Sequence, residues 1–200
     1  MAITTEMIKG LRERTGAGVL DCRKALQEAM GDLEKAIAIL HEQGLVTAAK
    51  KATRAAREGL IEAYVHPGAK VASLIEVNCE TDFVARTDDF KALAHDLAMQ
   101  VAAAKPLYVR IEDVPPEVVE AERKLHLAAL AGEAKPPQVI DSIVAGKLKA
   151  FYEQTVLLEQ PFIKDQSVKI GDLISRYIAK LGENIVVRRF ARFAIGEEAE

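Results

Sequence analysis

The side chains best suited to chemistry gather in one stretch, Asn78-Cys79-Glu80-Thr81-Asp82-Phe83-Val84-Ala85-Arg86-Thr87. It carries a thiol that can act as a nucleophile, and a short acid, Asp82, beside a large aromatic, Phe83. The thiol points to covalent chemistry. The acid and aromatic pair suits non-covalent insertion into another molecule. A plainer reading also stands, in which Phe83 folds back over its own sheet edge while Asp82 caps the following helix. The two cysteines, Cys22 in a helical pattern and Cys79 at a strand end, form no C-x-x-C pair and read as reduced thiols, with a reactive Cys79 as the alternative. The four histidines, His41, His66, His95 and His126, show no metal-ligand spacing such as H-E-x-x-H. No G-x-S-x-G elbow, G-x-x-x-x-G-K-[ST] loop or G-x-G-x-x-G turn is present. Side-chain catalysis, a bound cofactor, a metal centre and a nucleotide site of the chain's own are therefore not expected.

The elements that must position this stretch follow from pattern. The apolar run Val71 to Val77 precedes it, and Phe90, Leu93, Ala94, Leu97, Ala98 and Val101 recur at helical spacing after it. The stretch is thus a strand-to-helix connection, which belongs on the surface because a buried loop strands unpaired backbone groups.

Composition narrows the partners. Two hundred residues with half of them apolar describe a globular chain with one substantial core and a smaller accessory domain. The net charge of −3 lacks the basic excess by which nucleic-acid binders neutralise phosphate. The start, Met1 to Glu6, has neither a basic nor an apolar leader region, and no segment is apolar enough to span a bilayer, so the expected location is the cytosol with no membrane partner.

From Thr5 to Gly44 the pattern is three short amphipathic helices: one with Met7, Ile8 and Leu11 on a face, one through Val19, Leu20, Cys22, Ala25, Leu26 and Ala29, and one through Leu33, Ile37 and Leu40. Gly16 and Gly18 break the first, Gly31-Asp32 separates the second from the third, and Gly44 is expected to close the third. So small a bundle either buries Val19 and Leu20 or leaves them for a partner. Residues 46–59 are alanine-rich, with Lys50, Lys51, Arg54 and Arg57, and read as a solvated helical connector with little to pack. Leu60 to Val65 and Val71 to Val77 flank His66-Pro67-Gly68-Ala69 as a β-hairpin. Helices are expected to Ala104, from near Glu117, between Pro137 and Tyr152, and from about 170 to 181, ending at Gly182. No second hairpin is expected between 105 and 183, and Ile185 to Ile195 reads as a returning strand. The fold class is α+β, with helices on one face of a small antiparallel sheet. Its open edge or face invites a second copy.

Four separated motifs resemble one family. Leu11-Arg-Glu-Arg-Thr-Gly-Ala-Gly-Val-Leu-Asp-Cys-Arg-Lys-Ala-Leu26 with Gly31-Asp-Leu-Glu-Lys-Ala-Ile37 is similar to the N-terminal domain of bacterial elongation factor Ts proteins. Thr81-Asp82-Phe83-Val84 is similar to their signature loop, and Leu157-Leu-Glu-Gln-Pro-Phe162 and Gly182-Glu-Asn-Ile185 with Arg189-Phe190 to their C-terminal motifs. The resemblance spans nearly the whole chain, in a short form with one core subdomain.

What the resemblance implies is specific. The function is guanine nucleotide exchange on the translation GTPase elongation factor Tu. Residues 1–50 become a ubiquitin-associated-like three-helix docking domain, 51–59 a helical connector, and 60–200 an α+β core that also dimerises. Arg12, Val19 and Leu20 are implied to dock on the GTPase, the last two standing where the family more often has two methionines. Thr81, Asp82, Phe83 and Val84 are implied to bind the partner and displace its magnesium, and a homodimer would give a two-plus-two complex. An RNA-binding adaptor using the basic connector is the alternative from another class.

Overall fold

The computed structural model describes residues 3–130 and 136–197. Helix α1 (Thr5–Thr15) starts where the Thr4 hydroxyl accepts the Met7 N–H at 3.3 Å, and it stops at Gly16, whose φ of 70° lies in the left-handed region that favours glycine. Helix α2 (Val19–Glu28) follows, and Asp32 opens α3 (Leu33–Lys51) by accepting the Lys35 N–H at 3.1 Å. The three helices bury Leu11, Cys22, Ala25, Leu26, Ala29 and Ala36 in a cluster of their own. This is the expected bundle.

Strands β1 (Glu58–Val65) and β2 (Val71–Cys79) form the expected hairpin. After them come the single turn α4 (Asp82–Ala85), then α5 (Asp88–Ala104) and the helix pair α6 (Pro116–Ala129) and α7 (Pro137–Thr155). The chain closes with β3 (Pro161–Phe162), β4 (Asp165–Lys169), α8 (Ile170–Leu181) and β5 (Val186–Ala194). The main sheet has the order β1-β2-β5, antiparallel throughout. Ser73, Ile75, Val77 and Cys79 of β2 face inward, and all six residues picked out by spacing on α5, Phe90, Leu93, Ala94, Leu97, Ala98 and Val101, are fully buried. Ile170, Ile174 and Ile178 of α8 complete this core, so the fold is α+β with helices on one face of the sheet. The opposite face carries Ile61, Val65, Leu74 and Phe193 exposed, brought to one side by the register Ile61↔Glu76, Ala63↔Leu74 and Ala72↔Phe193.

Three expectations need correction. Helix α3 does not close at Gly44; it continues to Lys51 because Gly44 is buried against α8, where a Cβ would stand 4.0 Å from that of Ala179. The helical connector over 51–59 is accordingly absent. The helix ends at Lys51, turns follow, and β1 has begun by Glu58. Nor is this segment unpacked: the Asn184 side chain donates to the carbonyls of Ala52, at 3.4 Å, and Arg54, at 2.8 Å.

The third correction is the β3–β4 hairpin, which lies inside the interval where none was expected. A strand of two residues, Pro161–Phe162, and one that begins Asp165-Gln-Ser offer no alternation of apolar and polar residues to read. Long-range bonds hold them instead. Buried Gln100 donates to Gln160 Oε1 at 3.1 Å and to the Pro161 carbonyl at 3.2 Å, and accepts the Ile163 N–H at 2.9 Å. With Leu157 and Phe162 also buried, the stretch Leu157 to Phe162 serves the core.

Candidate partner-binding site

Where β2 ends at buried Cys79, the chain makes one helical turn rather than a plain loop. Thr81, with extended φ of −130°, caps that turn by accepting the Val84 N–H at 3.4 Å. Ala85 is buried and Val84 packs against the core cluster, which pins the inner side of the turn. Thr87 secures the far end, donating to the Val84 carbonyl at 2.8 Å and accepting the Phe90 N–H at 3.2 Å to open α5. Only the outer side remains. There Phe83 is 79% exposed, and Asp82 pairs with Arg86 at 2.6 Å.

This arrangement removes the plainer reading of Phe83. The ring does not cover the sheet edge, and Asp82 is not the cap; Thr81 and Thr87 take that role. The ring is thus exposed on a turn tied at both ends, so little ordering of its backbone would be left for any contact to impose.

The turn is also held from behind. Glu183, just past the C-cap Gly182 of α8, accepts the N–H groups of Glu80 and Thr81, both at 3.0 Å, and the Thr81 hydroxyl at 2.6 Å. In return, the Glu80 carboxylate accepts the Asn184 N–H at 2.7 Å. Sequence reasoning placed Glu183 in a motif without giving it a contact, because no local pattern announces a pairing across 102 residues.

The Cys79 thiol is pushed up to about 11, mainly by burial and then by the Glu183 charge. It lies against the Thr81 carbonyl at 3.1 Å and is closed to solvent. A buried thiol that keeps its proton at neutral pH is no nucleophile, which removes the covalent alternative. Burial likewise raises Cys22.

The other expected site residues lie on the bundle. Arg12 is exposed on α1, and Val19 and Leu20, 52% and 68% exposed, occupy the first turn of α2. The bundle therefore leaves this apolar pair uncovered. They belong to a different layer from Thr81–Val84, which is seated on the sheet and α5 core. Of the basic residues near the connector, Lys51 donates to the Gly182 carbonyl and Arg54 lies 3.6 Å from Glu80, so both are engaged within the chain. Among the described residues no helix is long and apolar enough to cross a membrane.

Comparison with known proteins gives a consistent answer. A family model described as elongation factor TS matches residues 17–197. Elongation factor Ts of Carboxydothermus hydrogenoformans is 57% identical over 195 residues, 98% of this chain and 90% of the relative. That of Herpetosiphon aurantiacus is 57% identical over 196 residues, 98% of this chain and 99% of the relative, and that of Moorella thermoacetica is 58% identical over 190 residues, covering 95% and 94%. A family match over residues 17–197, together with relatives 57% identical across 98% of the chain, places this chain in the elongation factor Ts family.

Proposed function

We propose that this protein is a guanine nucleotide exchange factor for elongation factor Tu, acting in the cytosol and altering no covalent bond. The observation that carries the reading is Phe83, 79% exposed on a turn capped by Thr81 and anchored by Ala85. In the proposed sequence of events the bundle docks on the GDP-bound GTPase through Arg12, Val19 and Leu20. Thr81, Asp82, Phe83 and Val84 then enter the partner and deform its magnesium and phosphate contacts. GDP loosens, leaves, and GTP takes its place. A thousandfold weakening of GDP requires about 4 kcal/mol of negative coupling. Burial of one aromatic side chain contributes about 1.5–3 kcal/mol of this order, and the disturbed metal site supplies the remainder.

The same reading takes the protein as a homodimer built on the core. Ile61, Val65, Leu74 and Phe193 form an apolar patch on the uncovered sheet face, and a second copy laid on it would remove the patch from water. Residues 1–50 are taken as the docking domain and 60–200 as the core. The RNA adaptor is less well supported, since Lys51 and Arg54 bond within the chain. The test is release of labelled GDP from purified elongation factor Tu: acceleration by this protein is expected, and an unchanged rate overturns the reading.

A further inference from the structure

We propose that Glu183 is the positioning residue that aims Phe83, acting through the Thr81 hydroxyl; this rests on the exchange reading above. The Thr81 oxygen has two tasks at once. It accepts the Val84 N–H at 3.4 Å, which caps the turn bearing Phe83, and its own proton goes to Glu183 Oε1 at 2.6 Å. A threonine hydroxyl rotates freely unless a partner fixes it. With the proton committed to the carboxylate, a lone pair is left facing the helix terminus, so Glu183 holds the cap in its working rotamer.

The second carboxylate oxygen fixes the backbone leading into the turn. Oε2 accepts the N–H groups of Glu80 and Thr81 at 3.0 Å each, two donors that no strand partner or helix satisfies at this point. Hydrogen bonds to an ionised acceptor are the stronger kind, and three from consecutive groups converge here. Glu183 is itself held in place. Gly182, at φ 78°, lets the chain turn out of α8, and Lys51 donates to its carbonyl. Asn184, only 3% exposed, donates its side-chain N–H to the Arg54 carbonyl at 2.8 Å and its backbone N–H to Glu80 at 2.7 Å. The carboxylate therefore projects from a turn braced on both sides, and the Phe83 turn inherits its position from there.

The consequence is a division between docking and aiming. Glu183 lies behind the turn while Phe83 faces outward, so its loss should leave the approach of the factor intact and spoil the step that follows. The experiment measures GDP release from elongation factor Tu over a range of factor concentrations, for wild type, Glu183→Ala, Glu183→Gln and Phe83→Ala, and for Glu183→Ala combined with Phe83→Ala. Glu183→Ala is expected to lower the plateau rate by about tenfold, the order of one lost helix cap, with the half-saturating concentration little changed. Glu183→Gln keeps the shape but puts an amide donor in place of one acceptor oxygen, so it can satisfy the Thr81 hydroxyl or the two backbone N–H groups but not both; it should also lower the plateau, and a plateau at the wild-type level would overturn the proposal. In the Phe83→Ala background the second substitution should add nothing, because both act through the same ring.

A merely structural role gives the opposite split, since a partly unfolded factor lowers the active concentration: half-saturation rises and the plateau stays. That result, or a plateau loss from Glu183→Ala undiminished in the Phe83→Ala background, overturns the proposal. A wild-type protein that released no GDP would instead overturn the exchange reading. Amide hydrogen exchange of the factor alone separates the two failures. Faster exchange at Thr81 and Val84 in Glu183→Ala supports the hold on the turn, and unchanged rates refute it whatever the GTPase does.

Discussion

Phe83→Ala removes the ring while leaving its support untouched. Because 79% of the residue already faces water, the folded factor loses little: a stability change within about 0.5 kcal/mol is expected, as at other surface sites. The loss should appear on the partner. Full burial of a phenylalanine contributes about 1.5–3 kcal/mol, and the fraction of Phe83 still available for burial scales this to about 1–2.5 kcal/mol, or roughly 5- to 70-fold. If the ring acts as a wedge, that energy is spent against GDP, and reciprocity requires GDP to weaken the factor by the factor that the factor weakens GDP. Titration calorimetry of wild type and Phe83→Ala against GDP-loaded and empty elongation factor Tu, at one magnesium concentration, gives both dissociation constants. The mutant should bind the two forms with more nearly equal strength, and thermal unfolding should show it as stable as wild type. An unchanged ratio would falsify the wedge role even if the exchange rate fell.

Other consequences follow from the same geometry. Arg12→Ala should raise the factor concentration needed for half-maximal GDP release and leave the plateau rate near wild type, as expected of an exposed docking residue; a fall in the plateau alone would contradict its assignment. Cys79 should resist alkylation by iodoacetamide in the native protein at pH 8 and react once the protein is unfolded; rapid native labelling would contradict its burial. Its folded-state value of about 11 exceeds the ordinary thiol value of 9.0, so between these values the unfolded chain ionises first, and chemical denaturation should show stability falling as pH rises from about 9 to about 11. Cys79→Ala should flatten that slope. Leu74→Glu places a charge at the centre of the exposed apolar sheet face and should give a folded monomer by light scattering where wild type gives a dimer; a dimeric variant would move the interface elsewhere.

The sequence was most legible where one element is long and faces one environment. All six α5 positions chosen by spacing reach zero exposure, joined there only by the polar Gln100, because a helix laid on a sheet must put its apolar stripe there. Gly44 misled for the converse reason. Glycine ends many helices, yet here its missing side chain lets α3 approach α8, and only the tertiary contact distinguishes the uses. The turn at Asp82–Ala85 is too short to show a helical period, so the stretch reads as a loop even though Thr81 is in plain view as a cap. The β3–β4 hairpin rests on Gln100 and Gln160, side chains 60 residues apart whose partnership no local rule reports. Of the candidate site, the surface placement of Phe83 was readable from its connection, and the small bundle left open that Val19 and Leu20 stay uncovered, whereas a docking role for Arg12 was implied only by family likeness. The contact of Glu183 with the turn required the fold.

Catalytic turnover distinguishes an exchange factor from a protein that merely binds the GTPase. Elongation factor Tu loaded with labelled GDP is mixed with excess unlabelled GTP and a substoichiometric amount of this protein, and the label is followed by stopped-flow fluorescence. Each molecule of an exchange factor should empty many GTPases, so that a small fraction of an equivalent accelerates release of the entire bound pool, and the same amount of Phe83→Ala should do so far more slowly. Release at the spontaneous rate, or acceleration confined to a stoichiometric share of the pool, would contradict the exchange reading.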